Sequence, residues 1–415
     1  MNILVVSNFY PPHAVGGYEL GCRDVVEALR RRGHRVRVLT SVHGLDRASS
    51  DGTVHRLLSI DLTGYPRSSL SFALSLLVAE VRGGRALRRL VGEARPDVVY
   101  LWNLRYLPLS MARHAQRLGL PVCYFVSDDW LSRWETVDRW EQWTAHLPRH
   151  PVKRGIKRLL RGAVERARPA GRSHALALKH VQFASRYLQQ ACLAYGKPVE
   201  QANVIHWGVD TRRFSGGDGC SVPARGPRLL YAGQVVASKG VHTAIEACRL
   251  LVQAHGMAGV RLTVAGGSVH TGYWERLQTM VDEARLREHV RFTGPLPRDE
   301  MPAVYREHDI LVFPSIWAEP FSIVVLEAMA SGLVVVGTVT GGSGEILRHG
   351  VTALVFPPED AAACAHHIGA LVDRADLYET IRREGRRTVE RDFDLDRMVD
   401  AVEHDLQRVV ETAPP

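Results

Sequence analysis

Short apolar runs alternate with amphipathic stretches through the first half of this chain. The pattern breaks at a cluster of glycines and prolines and then starts again. No other feature constrains the fold as tightly. Residues 3–6 read as a strand, 8–17 as a loop marked by Pro11, Pro12, Gly16 and Gly17, and 19–32 as a helix with apolar positions at Leu20, Val25, Val26 and Leu29. Gly33 suits a C-cap, and 35–40 is a second strand. Further strands are expected at 96–101, 121–126 and 181–185. Residues 205–227 carry seven glycines and prolines and read as the junction between domains. Strands then return at 228–232, 261–265, 290–292, 310–313 and 334–336, with helices to about 254 and at 323–331. Such alternation predicts two Rossmann-like α/β domains, each a parallel sheet covered by helices. The expected boundaries are 1–208, a linker at 209–227, 228–392, and a C-terminal helix at 393–415 that crosses back to the first domain. Ligands of such sheets bind at the carboxyl ends of the strands, so two facing sheets would place the site in a central cleft.

A length of 415 residues suits two domains, and a hydrophobic share of 46% excludes a disordered chain. No apolar run is long enough to span a bilayer. The first residues form a β-like run without a basic leader, which reads as no signal peptide. Six scattered cysteines without a Cys-x-x-Cys point to a reducing cytosol and no structural metal. The net charge of +9 comes mostly from arginine, because only Lys153, Lys157, Lys179, Lys197 and Lys239 are lysines. A lysine retained in so arginine-rich a chain is informative.

The segment from Glu319 to Gly332 carries the most chemistry. A strand ends near Ser315, a loop runs through Glu319 and Phe321, and Ser322 is a suitable N-cap for the helix that follows. The N–H groups of Ile323 and Val324 at that helix start suit a phosphate. Glu327 lies more than one turn inside the helix, so the two acids cannot share a proton. They suit two hydroxyl-bearing groups on either side of a diphosphate; a surface acid and a helix-face acid is the plain alternative. Lys239 follows a strand and can supply positive charge to a departing diphosphate. Gly16 and Gly17 would let the backbone approach a phosphate closely.

Taken together, Glu319-x7-Glu327, the Gly233-Gln234 to Lys239-Gly240 loop, the Gly341-Gly-Ser-Gly-Glu-Ile346 run and the N-terminal Gly-Gly resemble retaining glycosyltransferase family 4, which has the GT-B fold. The resemblance spans nearly the whole chain and is most specific over 228–360. It implies a transferase that moves a sugar from a UDP- or GDP-sugar to a small molecule or glycan, in natural-product or cell-envelope biosynthesis, with no metal and no cofactor beyond the donor. It implies an acceptor-binding first domain and a donor-binding second one. Glu319 would hold the donor sugar and Glu327 the ribose. Gly233, Gln234 and Lys239 would face the diphosphate, together with Gly16, Gly17, Phe321, Ser322, Ile323 and Val324. Gly294, Pro295 and Leu296 would border the base. Tyr18, Trp102, Asn103 and Trp130 would lie on the acceptor side.

Three positions depart from the family. Gln234 stands where an arginine is usual, Ser322 where a glycine is usual, and Ser127-Asp128-Asp129 where His-Asp is usual. Ser127 or Asp128 is therefore expected to replace the histidine's contact with the sugar. Asp392, Asp394 and Asp396 look like an Asp-x-Asp metal motif but are read as a helix-entry segment. Trp130, Trp134, Trp140 and Trp143 could wall an acceptor or pack a core. The basic stretch at 153–172 could rest on anionic lipid of the inner membrane or form a solvated face. Two rival functions remain at this stage: a sugar-nucleotide epimerase on the same fold, and a non-catalytic binder of anionic polymers or membranes. No nucleic-acid motif is present.

Overall fold

The computed structural model describes residues 1–13, 16–60, 70–145, 150–167, 176–216, 226–268 and 271–412. The chain forms two compact units, Met1–His206 with Val399–Pro415, and Trp207–Met398.

The first unit is built on β1 (Asn2–Val6), β2 (Arg35–Ser41), β3 (Ser49–Ser50), β4 (Val54–Leu58), β5 (Val98–Leu101), β6 (Val122–Val126), β7 (Val181–Phe183) and β8 (Asn203–Val204). Their order in the sheet is β3-β4-β2-β1-β5-β6-β7-β8, with β3 antiparallel to β4 and the other pairs parallel. β5 and β6 are buried along their whole length, as strands covered by helices on both faces must be. The chain starts in the middle of the sheet, moves to one side, and returns to build the other. The order therefore reverses between β1 and β5, where ligands of open α/β sheets bind.

Residues 41–95, to which the sequence pattern assigns nothing, hold β4 and the helix Leu70–Ala94. Gly83 and Gly84 weaken that helix locally but let it approach its neighbour. A Cβ on Gly83 would stand 2.6 Å from Met111 Cε, and one on Gly84 would stand 3.0 Å from the His114 ring. The end of the helix Leu395–Glu411 is fixed inside this unit by Asp405. Its buried carboxylate accepts from Gln182 Nε2 (2.7 Å) and Asn203 Nδ2 (2.6 Å), and Gln182 Oε1 accepts from Tyr100 (2.6 Å).

The second unit contains β9 (Arg228–Ala232), β10 (Arg261–Ala265), β11 (Val290–Gly294), β12 (Ile310–Phe313), β13 (Val334–Gly337) and β14 (Ala353–Val355). All are parallel, in the order β11-β10-β9-β12-β13-β14. Here the order reverses between β9 and β12. The loops leaving those two strands carry Lys239 and Glu319.

Residues 208–211 are tied to the segment before the last helix. Val209 N donates to Phe393 O and Leu395 N to Val209 O. Thr211 donates to Asp394 at 2.6 Å. Asp396 pairs with Arg212 and Asp392 with Arg391. These acids are engaged in holding a helix entry. Cys22, Cys123, Cys192, Cys248 and Cys364 are free and buried; Cys220 lies outside the described residues.

Candidate functional site

In the second unit the β9 loop is shaped by three glycines. Gly233 and Gly266 take φ values of 141° and 153°, and a Cβ on Gly266 would stand 1.7 Å from Gly233 O. Gly240 takes φ 70°, and a Cβ there would stand 1.9 Å from Pro314 O. The Lys239 turn is thus pressed against the β12 loop. Ile316 N and Trp317 N both donate to Ser238 O at 2.9 Å. Lys239 Nζ donates to Glu319 Oε1 at 2.5 Å, and Ser315 Oγ donates to the same oxygen at 2.7 Å. Glu319 is only 5% exposed, whereas Lys239 keeps a partly open ammonium. Tyr231 lies behind them; burial and then the Glu319 charge push its phenol up, and it donates to Gln234 O at 2.7 Å.

The Gly341-Gly-Ser-Gly run buttresses the same acid through backbone. Glu319 N donates to Thr340 O and Gly342 N donates to Glu319 O at 2.6 Å. Gly341 takes φ 60°, and a Cβ on it would stand 2.5 Å from Glu319 O. No other residue type fits so close to the neighbouring chain.

The helix Ile323–Ala330 starts directly after this loop. Ser322 occupies the N-cap position, but its side chain makes no capping hydrogen bond, which corrects the expectation of a serine cap. The helix start keeps its positive character for an anion. Glu327 faces inward from the second turn. It accepts from Tyr305 at 3.0 Å and stands 3.8 Å from Arg298. Burial and then the Glu327 charge push the Tyr305 phenol well up, so it stays protonated and donates.

In the first unit the ends of β1, β5 and β6 carry a separate polar group. Asn8 Oδ1 accepts from Tyr18 at 2.7 Å, and Asn8 Nδ2 donates to Arg105 O. Asp128 Oδ2 accepts from Asn103 Nδ2 at 2.9 Å and from Arg105 Nε at 3.0 Å. Arg105 also pairs with Asp129. Burial opposes the Arg105 charge, but Asp128 and Asp129 outweigh it and hold its pKa above the usual value. Ser127, beside Asp128, is 6% exposed, and its hydroxyl has no hydrogen-bond partner among the described residues.

The expected donor residues of the second unit therefore fall into one neighbourhood of that unit: Gly233, Gln234, Lys239, Glu319 and the start of the 323–330 helix lie at the β9/β12 reversal. Gly233 and Gln234 are exposed, Ile323 and Val324 half-buried. Glu327 lies deeper, Gly294 ends β11, and Pro295 and Leu296 follow it. Phe321 is buried against Phe393, 5.8 Å between ring centroids, and offers no free face. Gly16 is the N-cap of the helix Gly17–Arg31, and its N–H is taken by Glu19 Oε2 at 2.9 Å.

Trp102 and Trp130 are fully buried, and Trp134, Trp140 and Trp143 are buried too. Trp102 packs 4.4 Å from Phe125. These rings form core, the packing alternative for the tryptophan cluster, and the acceptor-side placing of Trp102 and Trp130 is corrected. Asn103 is buried and positions Asp128. Sequence reasoning missed Asn8, Arg105 and Tyr305, whose contacts join separate segments, Ser315, which holds Glu319 from four residues before it, and Trp317, an exposed indole two residues before Glu319.

Two family profiles match the two halves of the chain: "Glycosyltransferase Family 4" over residues 15–213 and "Glycosyl transferases group 1" over 221–388. A glycogen synthase of Mycobacterium tuberculosis is 27% identical over 412 residues, 95% of this chain and 91% of that protein. The putative colanic acid biosynthesis glycosyltransferase WcaL of Escherichia coli is 32% identical over 48% of this chain and 49% of its own length. Among solved structures, sucrose-phosphate synthase of Thermosynechococcus elongatus superimposes with TM-score 0.72 at 19% identity, covering 99% of both chains. Anabaena HepE in complex with UDP-glucose gives 0.70 at 18% identity, covering 98% of this chain and 99% of that one. These relatives do not favour the epimerase alternative. The fold is GT-B, and the chain is a glycosyltransferase that belongs to family 4.

Proposed function

We propose that this glycosyltransferase moves a sugar from a nucleoside diphosphate to a small-molecule or glycan acceptor, with retention at the anomeric carbon and without a metal. The observation that carries this reading is the Lys239–Glu319 pair at the β9/β12 reversal, next to a helix start with no side-chain cap. The bond between the anomeric carbon and the phosphate oxygen breaks. The acceptor oxygen bonds to the same face of the sugar, and its proton leaves on the departing phosphate. Lys239 and the helix N–H groups stabilise the charge that grows on the diphosphate. Glu319 orients the sugar hydroxyls, and Glu327, held by Tyr305, takes the ribose.

A uridine donor is the first to test, since HepE, which shares the fold, was solved with UDP and with UDP-glucose. In the first unit Ser127 and Asp128 contact substrate hydroxyls. Ser127 supports this because its buried hydroxyl has no partner among the described residues and so is open to one from a ligand. Thermal unfolding with UDP, GDP and ADP tests the donor class, because a ligand that binds only the folded chain raises its melting temperature. No rise with any nucleoside diphosphate would sink the reading.

A further inference from the structure

Residues 168–172 of the basic stretch lie outside the described residues. At the carboxyl ends of the first unit's strands three aromatic rings meet. Phe9 follows β1, His43 follows β2 and Tyr106 follows β5, and these strands are neighbours in the order β2-β1-β5. The Phe9 ring stands 5.0 Å from the His43 ring and 6.1 Å from the Tyr106 ring, edge-on to both. The arc therefore crosses the β1/β5 reversal, where ligands of such sheets bind.

The middle of the arc is core and its ends are not. Phe9 is buried, whereas His43 and Tyr106 are half-buried. The His43 imidazole and the Tyr106 hydroxyl have no hydrogen-bond partner among the described residues, and both polar ends reach solvent. The Tyr106 backbone is in the left-handed region, φ 68°, which a bulky residue rarely adopts. Its neighbours hold it there. Asn8 Nδ2 donates to Arg105 O at 2.9 Å, Arg105 N donates to Asn103 Oδ1 at 2.8 Å, and the Arg139 guanidinium lies 5.8 Å over the Tyr106 ring. Asn8 directly precedes Phe9, so one side chain ties the two loops beside both rings. Gly44, φ 76°, brings the β2 loop onto the β1 loop, and a Cβ there would run into the His13 ring. Strain maintained by surrounding contacts at a strand end is a mark of binding sites.

The charges narrow the ligand. Arg105 is engaged by Asp128 and Asp129, and Arg139 is buried. Neither guanidinium is open to an anion. An imidazole and a phenol, held apart by a buried ring, suit a molecule that offers hydroxyl groups and an apolar C–H face.

We propose that His43 and Tyr106, spaced by Phe9, form the acceptor subsite, and that the acceptor is an uncharged polyhydroxylated ring. His43 and the Tyr106 hydroxyl bond its hydroxyl groups, and Phe9 sets the distance between them. The proposal rests on the reading of the chain as a transferase to a small-molecule or glycan acceptor.

Saturation-transfer NMR of the full chain tests it, with and without UDP. The probes are methyl β-glucoside and myo-inositol as uncharged rings, glucose 6-phosphate as a charged ring and glycerol as an open-chain polyol. At least one uncharged ring is expected to bind more tightly than glucose 6-phosphate and glycerol. His43→Phe and Tyr106→Phe keep a ring in place and remove the polar atoms. Each is expected to weaken that binding by about fivefold, the loss of one hydrogen bond, with the melting temperature and its response to UDP unchanged. Binding of neither uncharged ring overturns the proposal, as do unchanged affinity in both variants and tighter binding of glucose 6-phosphate. The UDP response separates the two readings: its absence sinks the donor reading, and loss of ring binding with the UDP response intact sinks this one.

Discussion

Lys239 Nζ and Glu319 Oε1 lie 2.5 Å apart although 80 positions separate them in sequence. Their loops leave neighbouring strands at the point where the second sheet reverses its order. The pair keeps each charge in place before any ligand arrives. If Glu319 holds the donor sugar, Glu319→Ala separates sugar from nucleotide. Calorimetric titration should show UDP affinity within a few-fold of the parent. UDP-sugar affinity should fall by about 10- to 100-fold, the range for losing a hydrogen bond to a charged group. Equal losses for both ligands would contradict the assignment.

Glu327 and Tyr305 predict the opposite pattern. Tyr305→Phe removes the hydroxyl that fixes the Glu327 carboxylate at 3.0 Å. The donor KM should rise by about fivefold, corresponding to ~1 kcal/mol, while kcat stays close to the parent value. UDP and UDP-sugar should weaken together, because the ribose is common to both. An unchanged KM would remove Tyr305 from the site.

Ser127 offers the first unit's sharpest test. Its hydroxyl is buried and without a partner among the described residues, next to an Asp128 already held by Asn103 and Arg105. Ser127→Ala is expected to lower turnover or alter donor preference, with little change in stability, since no protein hydrogen bond is lost. Unchanged turnover and unchanged preference across a panel of UDP-sugars would dismiss the contact.

Stability should fall on mild acidification. Burial depresses the His308 pKa, with Arg228 adding to it, and outweighs the opposing hydrogen bond to Val304 O at 2.6 Å; the other ring nitrogen contacts Thr263 Oγ1 at 2.9 Å. An unfolded histidine titrates near ~6.5. Below that pH the unfolded chain takes up a proton that the folded chain refuses, so stability is full above the unfolded value and declines as pH falls towards the lower folded one. Burial also depresses His114 and His242, which act in the same direction. Denaturant titrations from pH 7.5 to 5.5 should show the loss. Histidine ring resonances followed by NMR should place the His308 midpoint below the free value.

Much of the second unit was legible in sequence because its strands are short, mostly apolar runs between loop and helix signals. Those at 228–232, 261–265 and 310–313 appear with the expected ends. Gly233, Gln234 and Lys239 past β9 and Glu319 past β12 were legible: they lie in the loops where the sequence reading expected them, places the chain order alone identifies. Asn8, Arg105 and Tyr305 were not, because their meaning lies in contacts across 10 to 97 positions of chain. The tryptophans misled for a related reason: an indole reads the same whether it walls a cleft or fills a core. Gly341 shows the converse, since a motif glycine proved to be a steric requirement set by Glu319 O.

The central claim is that Lys239 stabilises a departing nucleoside diphosphate. Its most direct test is the rate of UDP release from UDP-glucose, or from whichever UDP-sugar gives the larger thermal shift, in the parent chain and in Lys239→Ala. The account predicts a fall in kcat of about 10²- to 10³-fold, the range for removing one preorganised charge-stabilising donor, with UDP-sugar binding retained and a folded, cooperative melting transition. A variant that releases UDP at the parent rate would contradict it.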